Sequence, residues 1–212
     1  MTPHSARHPN VQRRRNDPEG LRSRILDRAL KLFQERGYHS TSMHDLIRAT
    51  KTTAGALHHH FPTKKAIALA VLAERIGPLV KETWIDPIQQ AAALDQGVAH
   101  VFNEIVLGIK KRRSVLGCPL NNLALELALT DRDLRQGIEG IFSEWRSVLA
   151  ERIGRTTGGA GVGERERVAA ANFVISVYSG AMNMAKATQS PGPLADAAAL
   201  LTQWLREHHF AE

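Results

Sequence analysis

The apolar residues between Leu21 and Leu72 recur at helical spacing, and this pattern constrains the fold more than any other feature of the chain. Asp17 followed by Pro18 suits a helix start, and Gly37 suits a helix end. No segment alternates convincingly with the two-residue period of a strand. The pattern therefore predicts an all-α protein.

Two short helices are predicted after the first. Thr41 or Ser42 caps the second helix, and Ser42 and Asp45 have the spacing of a capping box. Thr52 or Thr53 caps a third helix that Pro62 must end. Two short helices at a steep angle, the second presenting its first turn, form a helix-turn-helix that reads DNA. The apolar residues predicted to hold the pair together are Met43, Leu46, Ile47, Leu57 and Phe61.

The surface of this predicted helix-turn-helix carries small or hydrogen-bonding side chains. Gly55 would let the backbone approach DNA or a neighbouring helix closely. Lys64 would meet phosphates at the amino end of the following helix. The predicted DNA-contacting residues are Thr41, Ser42, Lys51, Thr52, Thr53, Ala54, Gly55, His58, His59 and Lys64.

Positive charge is concentrated in the same part of the chain. Residues 1–65 contain 13 Lys and Arg against 5 Asp and Glu, a net charge of +8, whereas residues 66–212 have a net charge of −1. Residues 1–16 are predicted to be a disordered basic tail, which either follows a DNA groove or is a solvated leader. A cationic head on a neutral body is expected when the head meets phosphate.

Helical spacing continues beyond the head, with a bend or break expected at Pro78 and at residues 84–87. The centre of one helix, Val168 to Met184, is apolar on nearly every side, which predicts burial all round, within the body or between subunits. The predicted helices cover residues 63–82, 87–94, 95–112, 118–129, 131–153, 164–188 and 194–208.

The predicted organisation has three parts: the tail at 1–16, a helix-turn-helix DNA-binding domain at 17–65, and a helical effector-binding and dimerisation domain at 66–212. The apolar faces of the last two helices are predicted to form a four-helix contact in a homodimer, through Phe173, Val177, Leu194, Leu201 and Trp204. Helix 63–82 is the predicted lever between the DNA-facing end and the body.

Several classes of protein are not expected. A single cysteine, Cys118, excludes an internal disulfide and fits a reducing cytoplasm. No apolar run approaches the roughly 20 residues that span a bilayer, so no membrane contact is predicted. His58, His59 and His60 point about 100° apart on a helix and cannot easily share a metal ion. Neither a phosphate-binding loop nor a nucleophile with its base is found, so no cofactor and no catalytic site are predicted.

The head resembles a known family. The motifs that carry the resemblance over about 50 residues are Phe33, Gly37-Tyr38, Thr41, Asp45-Leu46-Ile47, Gly55-Ala56-Leu57, His59-His60-Phe61-Pro62 and Lys64. They are similar to the amino-terminal signature of TetR-family transcriptional repressors. The resemblance implies an all-α homodimer whose two heads bind a pseudo-palindromic operator and whose helical body binds an inducer.

Three positions on the recognition surface depart from the family pattern. His58 stands in place of the usual tyrosine, Ala54 in place of a frequent lysine, and Lys51 in place of the usual glycine of the turn. A non-glycine residue at the turn costs about 1 kcal/mol if the backbone there is left-handed. The operator sequence therefore does not carry over from the family.

The body is similar to the carboxy-terminal domain of the LmrA- and YxaF-type branch of that family, through residues 117–126, Phe142, Trp145 and residues 179–182. This resemblance implies a small, largely apolar organic effector. The residues predicted to line its pocket are Phe102, Asn103, Cys118, Asn122, Trp145, Phe173, Tyr178 and Met182. An ordinary core role is the alternative for each of them.

Two other functions stay open at this point. One is a dimeric DNA-binding protein whose body serves only dimerisation, without a small-molecule effector. The other is a helical enzyme with an incidental basic head.

Overall fold

The computed structural model describes residues 18–210, and all regular secondary structure in that range is helical. The predicted all-α fold is therefore confirmed, while the predicted tail at 1–16 lies outside the described residues. The helices are α1 (Pro18–Arg36), α2 (Met43–Thr50), α3 (Ala54–His60), α4 (residues 64–90), α5 (Leu94–Arg112), α6 (Pro119–Leu127), α7 (Arg132–Gly154), α8 (Glu164–Thr188) and α9 (Gly192–Glu207).

Helix α4 runs from the head into the body without a break at Pro78 or at residues 84–87, so of the predicted bend or break, the break is wrong. Gly77 donates its backbone N–H to the Leu72 carbonyl, five residues earlier, which marks a wide π-helical turn just before the first proline. A second such turn precedes Pro87. These turns let the helix continue through residues that have no N–H to donate. The successive parts of α4 are Lys64–Val71, Leu72–Ile76, Gly77–Val80, Lys81–Ile85 and Asp86–Gln90.

The head consists of α1, α2 and α3 packed with the beginning of α4. The Arg22 guanidinium forms two hydrogen bonds to the Glu74 carboxylate, and Arg75 bonds Asp27 at 2.7 Å, so α4 is tied along the side of α1. The first part of α4 is therefore firmly attached to the head. The buried side chains of the head core include Ile25, Leu26, Phe33, Leu46, Leu57, Phe61 and Ile67.

The body is a bundle in which α8 packs against α7 and α9, while α9 also packs against α5. Its centre is aromatic. The ring centroid of Trp84 lies 4.8 Å from those of Trp145 and Tyr178 and 5.7 Å from that of Phe102. All four rings are buried, so they form one cluster that joins α4, α5, α7 and α8.

The outer face of α8 is open to solvent. Phe173 is 43% exposed and Met184 is 61% exposed, so burial of this helix on every side within the body is wrong. The helix is long and apolar enough to cross a membrane, as core helices commonly are, and 39% of its most apolar stretch is buried against the rest of the protein. The alternative prediction, burial between subunits, concerns this open face.

Two further contacts join the head to the body. The Glu126 carboxylate, at the end of α6, accepts a hydrogen bond of 3.1 Å from the backbone N–H of His39. Lys65 places its Nζ 2.8 Å from Asp131 and 2.7 Å from Asp133, at the start of α7. The end of α6 and the start of α7 therefore hold the side of the head.

Candidate DNA-binding surface and effector cavity

Helix α2 begins with the predicted capping box. The Ser42 hydroxyl accepts the Asp45 N–H at 3.1 Å, and the Asp45 carboxylate accepts the Ser42 N–H at 3.0 Å. Hydrogen bonds from the Ser42 hydroxyl and backbone, and then from Arg48, lower the pKa of the Asp45 carboxyl to about 2. Ser42 is exposed at this corner, where the first N–H groups of the helix also lie.

The turn between α2 and α3 passes through Lys51, whose backbone is left-handed, with φ 54° and ψ 40°. Because Lys51 is a non-glycine residue in a left-handed conformation, the expected cost of about 1 kcal/mol applies here. The Lys51 side chain is exposed and forms no ion pair within residues 18–210, and Thr52 beside it is half-buried. The turn thus presents an available cation next to the recognition helix.

The first turn of the recognition helix α3 carries only small side chains. The Thr53 hydroxyl accepts the Ala56 N–H at 3.2 Å and so caps the helix. Apart from its chain neighbours and the backbone of its own helix, no atom of residues 18–210 lies within 4 Å of the position that a Gly55 Cβ would occupy, so this glycine faces open space rather than a neighbouring helix. The exposed side chains of α3 are Ala54, His58 and His59.

Thr41 does not lie on this surface. Its side chain is fully buried, and its hydroxyl donates to the Gly37 carbonyl at 2.8 Å. A hydroxyl with no exposed surface cannot reach a phosphate, so this placement does not match the predicted DNA contact. Thr41 instead stabilises the turn between α1 and α2.

The Lys64 side chain also points inward, and this placement does not match the predicted contact with phosphate. Its Nζ donates to the Tyr38 carbonyl at 3.0 Å and lies 4.1 Å from the centroid of the Tyr38 ring. Burial lowers the pKa of the Lys64 ammonium. The side chain therefore ties the beginning of α4 to the turn after α1.

A cavity of about 590 Å³ lies in the body, between α4, α5, the loop before α6, α7 and α8. This volume falls within the roughly 300–1,000 Å³ of small-molecule sites. Trp84, Trp145 and Tyr178 form its aromatic floor. Its apolar walls include Val80, Val101, Ile105, Ile109, Val115 and Met182, and its exposed charged and polar residues are Glu82, His100, Glu104 and Arg112.

Four of the eight predicted ligand residues line the cavity: Cys118, Trp145, Tyr178 and Met182. Burial raises the pKa of the Cys118 thiol and raises that of the Tyr178 hydroxyl well above its ordinary value. Both groups therefore stay neutral near neutral pH. The inner end of the cavity is apolar and aromatic, and its ionisable groups carry no charge there.

The other four predicted ligand residues lie elsewhere. Phe102 is fully buried behind Trp84, and Asn103 is exposed on the outer side of α5. Asn122 donates to a backbone carbonyl of the loop before α6, at 2.9 Å, and Phe173 lies on the open face of α8. Residue type alone did not predict which face of each helix lines the cavity.

No residue of α4 is among the predicted ligand residues, because one helix is predicted to end at residue 82 and a separate one to begin at residue 87. Val80, Thr83, Trp84 and Pro87 all line the cavity, and their spacing of three, one and three residues is that of one helix face. That spacing was a usable signal. Gln34 of α1 also lines the cavity, and nothing in the sequence pointed to it because it belongs to the head.

The loop between α5 and α6 forms part of the cavity wall and is fixed to the end of α8. The Gln189 amide accepts the Val115 N–H and donates to the Val115 carbonyl, both at 3.1 Å. Lys186 donates to the Asn122 side chain at 3.1 Å. The wall of the cavity is thereby connected to the helix whose outer face is open.

Comparison with known proteins covers both halves of the chain. Residues 25–71 match the family of bacterial regulatory proteins called the tetR family, and residues 95–200 match the LmrA/YxaF-like C-terminal domain of transcriptional regulators. The HTH-type transcriptional regulator LmrA of Bacillus subtilis is 24% identical over 173 residues, which cover 82% of this chain and 90% of that protein. An uncharacterized HTH-type regulator of Lactococcus lactis is 26% identical over 168 residues, covering 79% and 84%.

Solved structures share the fold. A TetR transcriptional regulator from Chloroflexus aurantiacus superposes with a TM-score of 0.75 at 23% identity, over 89% of this chain and 96% of that one. A TetR-family regulator from Cytophaga hutchinsonii gives a TM-score of 0.76 at 20% identity, over 91% and 96%. These relatives are regulators and not enzymes. The chain therefore belongs to the TetR family of DNA-binding transcriptional regulators, with a carboxy-terminal domain of the LmrA/YxaF-like type.

Proposed function

We propose that this regulator is a cytoplasmic, homodimeric repressor that leaves a pseudo-palindromic operator when a small, largely apolar organic effector binds its body. The observation that carries the proposal is the cavity of about 590 Å³ with an aromatic floor, in a chain whose head exposes a recognition helix. The cavity favours an effector over a body that serves dimerisation alone.

DNA recognition is assigned to the exposed part of the head. Lys51 and Ser42 would contact phosphates, whereas Thr53, His58 and His59 would contact base edges or the backbone from the first turns of α3. Gly55 would allow close approach of the helix. Two such heads must be spaced by about one turn of DNA, roughly 34 Å, or a multiple of it.

Dimerisation is assigned to the outer faces of α8 and α9. Leu194 and Leu201, predicted for this contact, are instead buried within the protomer. Phe173 and Met184 of α8 and Leu200 of α9 are exposed, although all three are large and apolar. Leu200 is 69% exposed, and the Phe173 ring lies 4.7 Å from that of Trp204 between the two helices. A second copy of the chain would remove this contiguous apolar face from water.

Effector release is assigned to a change in the spacing of the two heads. Helix α4 is tied to α1 by Arg22 and Glu74, and farther along it supplies Trp84 to the cavity floor. A tilt of α4 would therefore move the recognition helix. An effector shifts the equilibrium only if it binds the displaced arrangement more tightly than the DNA-bound one.

The test begins with operator sequences selected by the purified protein from random duplex DNA. We expect a two-fold symmetric sequence, bound by a dimer in analytical ultracentrifugation. A panel of aromatic compounds is then screened by thermal shift, and the binders are added to the operator complex. Binders that release the DNA support the repressor mechanism. A symmetric operator with no binder in the panel would favour the effector-free DNA-binding dimer.

A further inference from the structure

We propose that the effector site is shared between the body and the head, with Gln34 of α1 as its contact in the DNA-binding domain. The inference rests on the effector-binding function proposed above. Gln34 lines the same cavity as Trp84, Trp145 and Tyr178, although it belongs to the first helix of the chain. The cavity wall is therefore built from both domains.

The Gln34 side chain is available to a ligand. It is half-buried, and its amide forms no hydrogen bond with any residue between 18 and 210. A primary amide offers two N–H donors and a carbonyl acceptor, so it can bind either kind of polar group. This neutral, adaptable group adds a polar contact to a cavity whose floor is apolar and aromatic.

The position of Gln34 would also let a bound ligand displace the head relative to the body. It lies one turn before Gly37, where α1 ends, and Gly37 leads directly into the His39 backbone that is hydrogen-bonded to Glu126. A Cβ added at Gly37 would approach the Glu126 carboxylate to 2.9 Å, so α1 and α6 are in close contact here. A molecule wedged between Gln34 and the body would press on this junction.

A ligand shifts the equilibrium between two arrangements of the head and the body only through contacts that differ between those arrangements. A ligand that touches only one rigid unit binds equally well wherever the other unit lies, and so cannot shift the equilibrium between them. A ligand that touches both gains or loses contacts when the head moves. The contact with Gln34 would therefore supply differential affinity of its own, in addition to what the contacts with α4 supply.

The test attaches a bulky group at this position without requiring the natural effector. Gln34→Cys in the full chain is treated with benzyl methanethiosulfonate, which transfers a benzylthio group to the introduced thiol as a mixed disulfide. Wild-type protein treated in the same way reports any labelling of Cys118, the chain's single cysteine, which is buried. Mass spectrometry counts the groups added, and operator affinity is measured on the sequence selected by the unmodified protein.

We expect the benzylthio group at position 34 to weaken operator binding by about tenfold or more, within the usual range of allosteric coupling. Methyl methanethiosulfonate at the same position and benzyl methanethiosulfonate on Gln136→Cys, an exposed glutamine of α7 outside the cavity, should change it by less than about twofold. Gel filtration and thermal unfolding confirm that each labelled protein stays folded.

Operator binding that survives the benzylthio group at position 34 would overturn this inference and leave the proposed function intact. An equal loss with Gln136→Cys would also overturn it, because the effect would not depend on the cavity. Failure of the unmodified protein to select any operator would overturn the proposed function, and the inference that rests on it would fall too.

Discussion

The Glu126 carboxylate accepts a hydrogen bond from the backbone N–H of His39 at 3.1 Å, and the Glu126 carbonyl lies 3.2 Å from Nε2 of the same histidine. This pair joins the last turn of α6 to the turn that leads into the helix-turn-helix. The first turn of α6 follows Cys118 at the cavity wall, about 13 Å away for a nine-residue helix. One short helix therefore connects the cavity with the head.

Glu126→Ala should lower the free energy of unfolding by about 1 kcal/mol, because the His39 N–H loses its acceptor. Glu126→Gln keeps an oxygen in place and should lose less. Urea denaturation followed by circular dichroism measures both. Glu144→Ala is the matched control, because Glu144 is exposed on α7 and its side chain forms no hydrogen bond or ion pair with residues 18–210. Equal stabilities of Glu126→Ala and Glu144→Ala would contradict the expectation.

Removing the Lys51 charge should weaken binding to operator and random DNA alike. Each lost phosphate contact lowers the slope of log affinity against log salt by about 0.9. Lys51→Ala and Lys51→Gly should show the same slope, but the glycine variant should be more stable by about 1 kcal/mol because the backbone is left-handed at φ 54°. Fluorescence anisotropy at several salt concentrations, together with urea denaturation, measures the two effects.

Lys64→Ala should behave differently from the Lys51 variants, because its ammonium is engaged with Tyr38. We expect a loss of stability of about 1 kcal/mol from the lost hydrogen bond and cation–π contact, with no change in the salt slope. A lower slope in Lys64→Ala would mean that the side chain turns out to phosphate when DNA binds.

Thr53→Ala should affect both stability and base recognition. Loss of the cap on α3 costs about 1 kcal/mol of stability, and loss of the hydroxyl relaxes discrimination at one operator position by about 1 to 3 kcal/mol. Thr53→Ser keeps the hydroxyl and should retain both. Binding to single-base variants of the selected operator measures the discrimination, and uniform weakening across all variants would argue that Thr53 contacts only phosphate.

The capping box at Asp45 should respond to acid. Its folded-state pKa is about 2, below the ordinary 3.8, so the stabilisation is complete above about pH 4 and is lost as the pH falls towards 2. NMR titration of the side-chain carboxyl carbon should give this low midpoint. Ser42→Ala removes the largest cause and should raise the midpoint towards 3.8. An unchanged midpoint in Ser42→Ala would disprove the assigned cause.

Phe173→Glu should convert the proposed dimer into monomers, because it places a charge in the apolar face of α8. Leu129→Glu is the matched control, since Leu129 is 97% exposed after α6, away from α8 and α9. Sedimentation velocity at micromolar concentration distinguishes the two variants. A dimer that persists in Phe173→Glu would place the interface elsewhere.

The ends of the short helices could be predicted because they depend on local chemistry. The Ser42 and Asp45 capping box, the Thr53 cap and the left-handed Gly37 all concern groups within three or four residues of one another. The continuity of α4 is not predicted, because proline normally ends a helix and the helical spacing of residues 80, 83, 84 and 87 was given less weight than Pro78 and Pro87. Because residues 83–86 lie outside the predicted helices, Trp84 is not among the predicted ligand residues.

The sequence by itself determined the helical class, the helix-turn-helix and the family, because these depend on periodicity, caps and a characteristic series of residues. Only the tertiary structure decided which side chains contact one another and which line the same cavity. It brought Gln34 of the head to the wall of a body cavity, turned Lys64 onto Tyr38, and left Phe173 outside that cavity. Each placement depends on how a helix face is rotated against its neighbours, and residues far apart in the chain set that rotation.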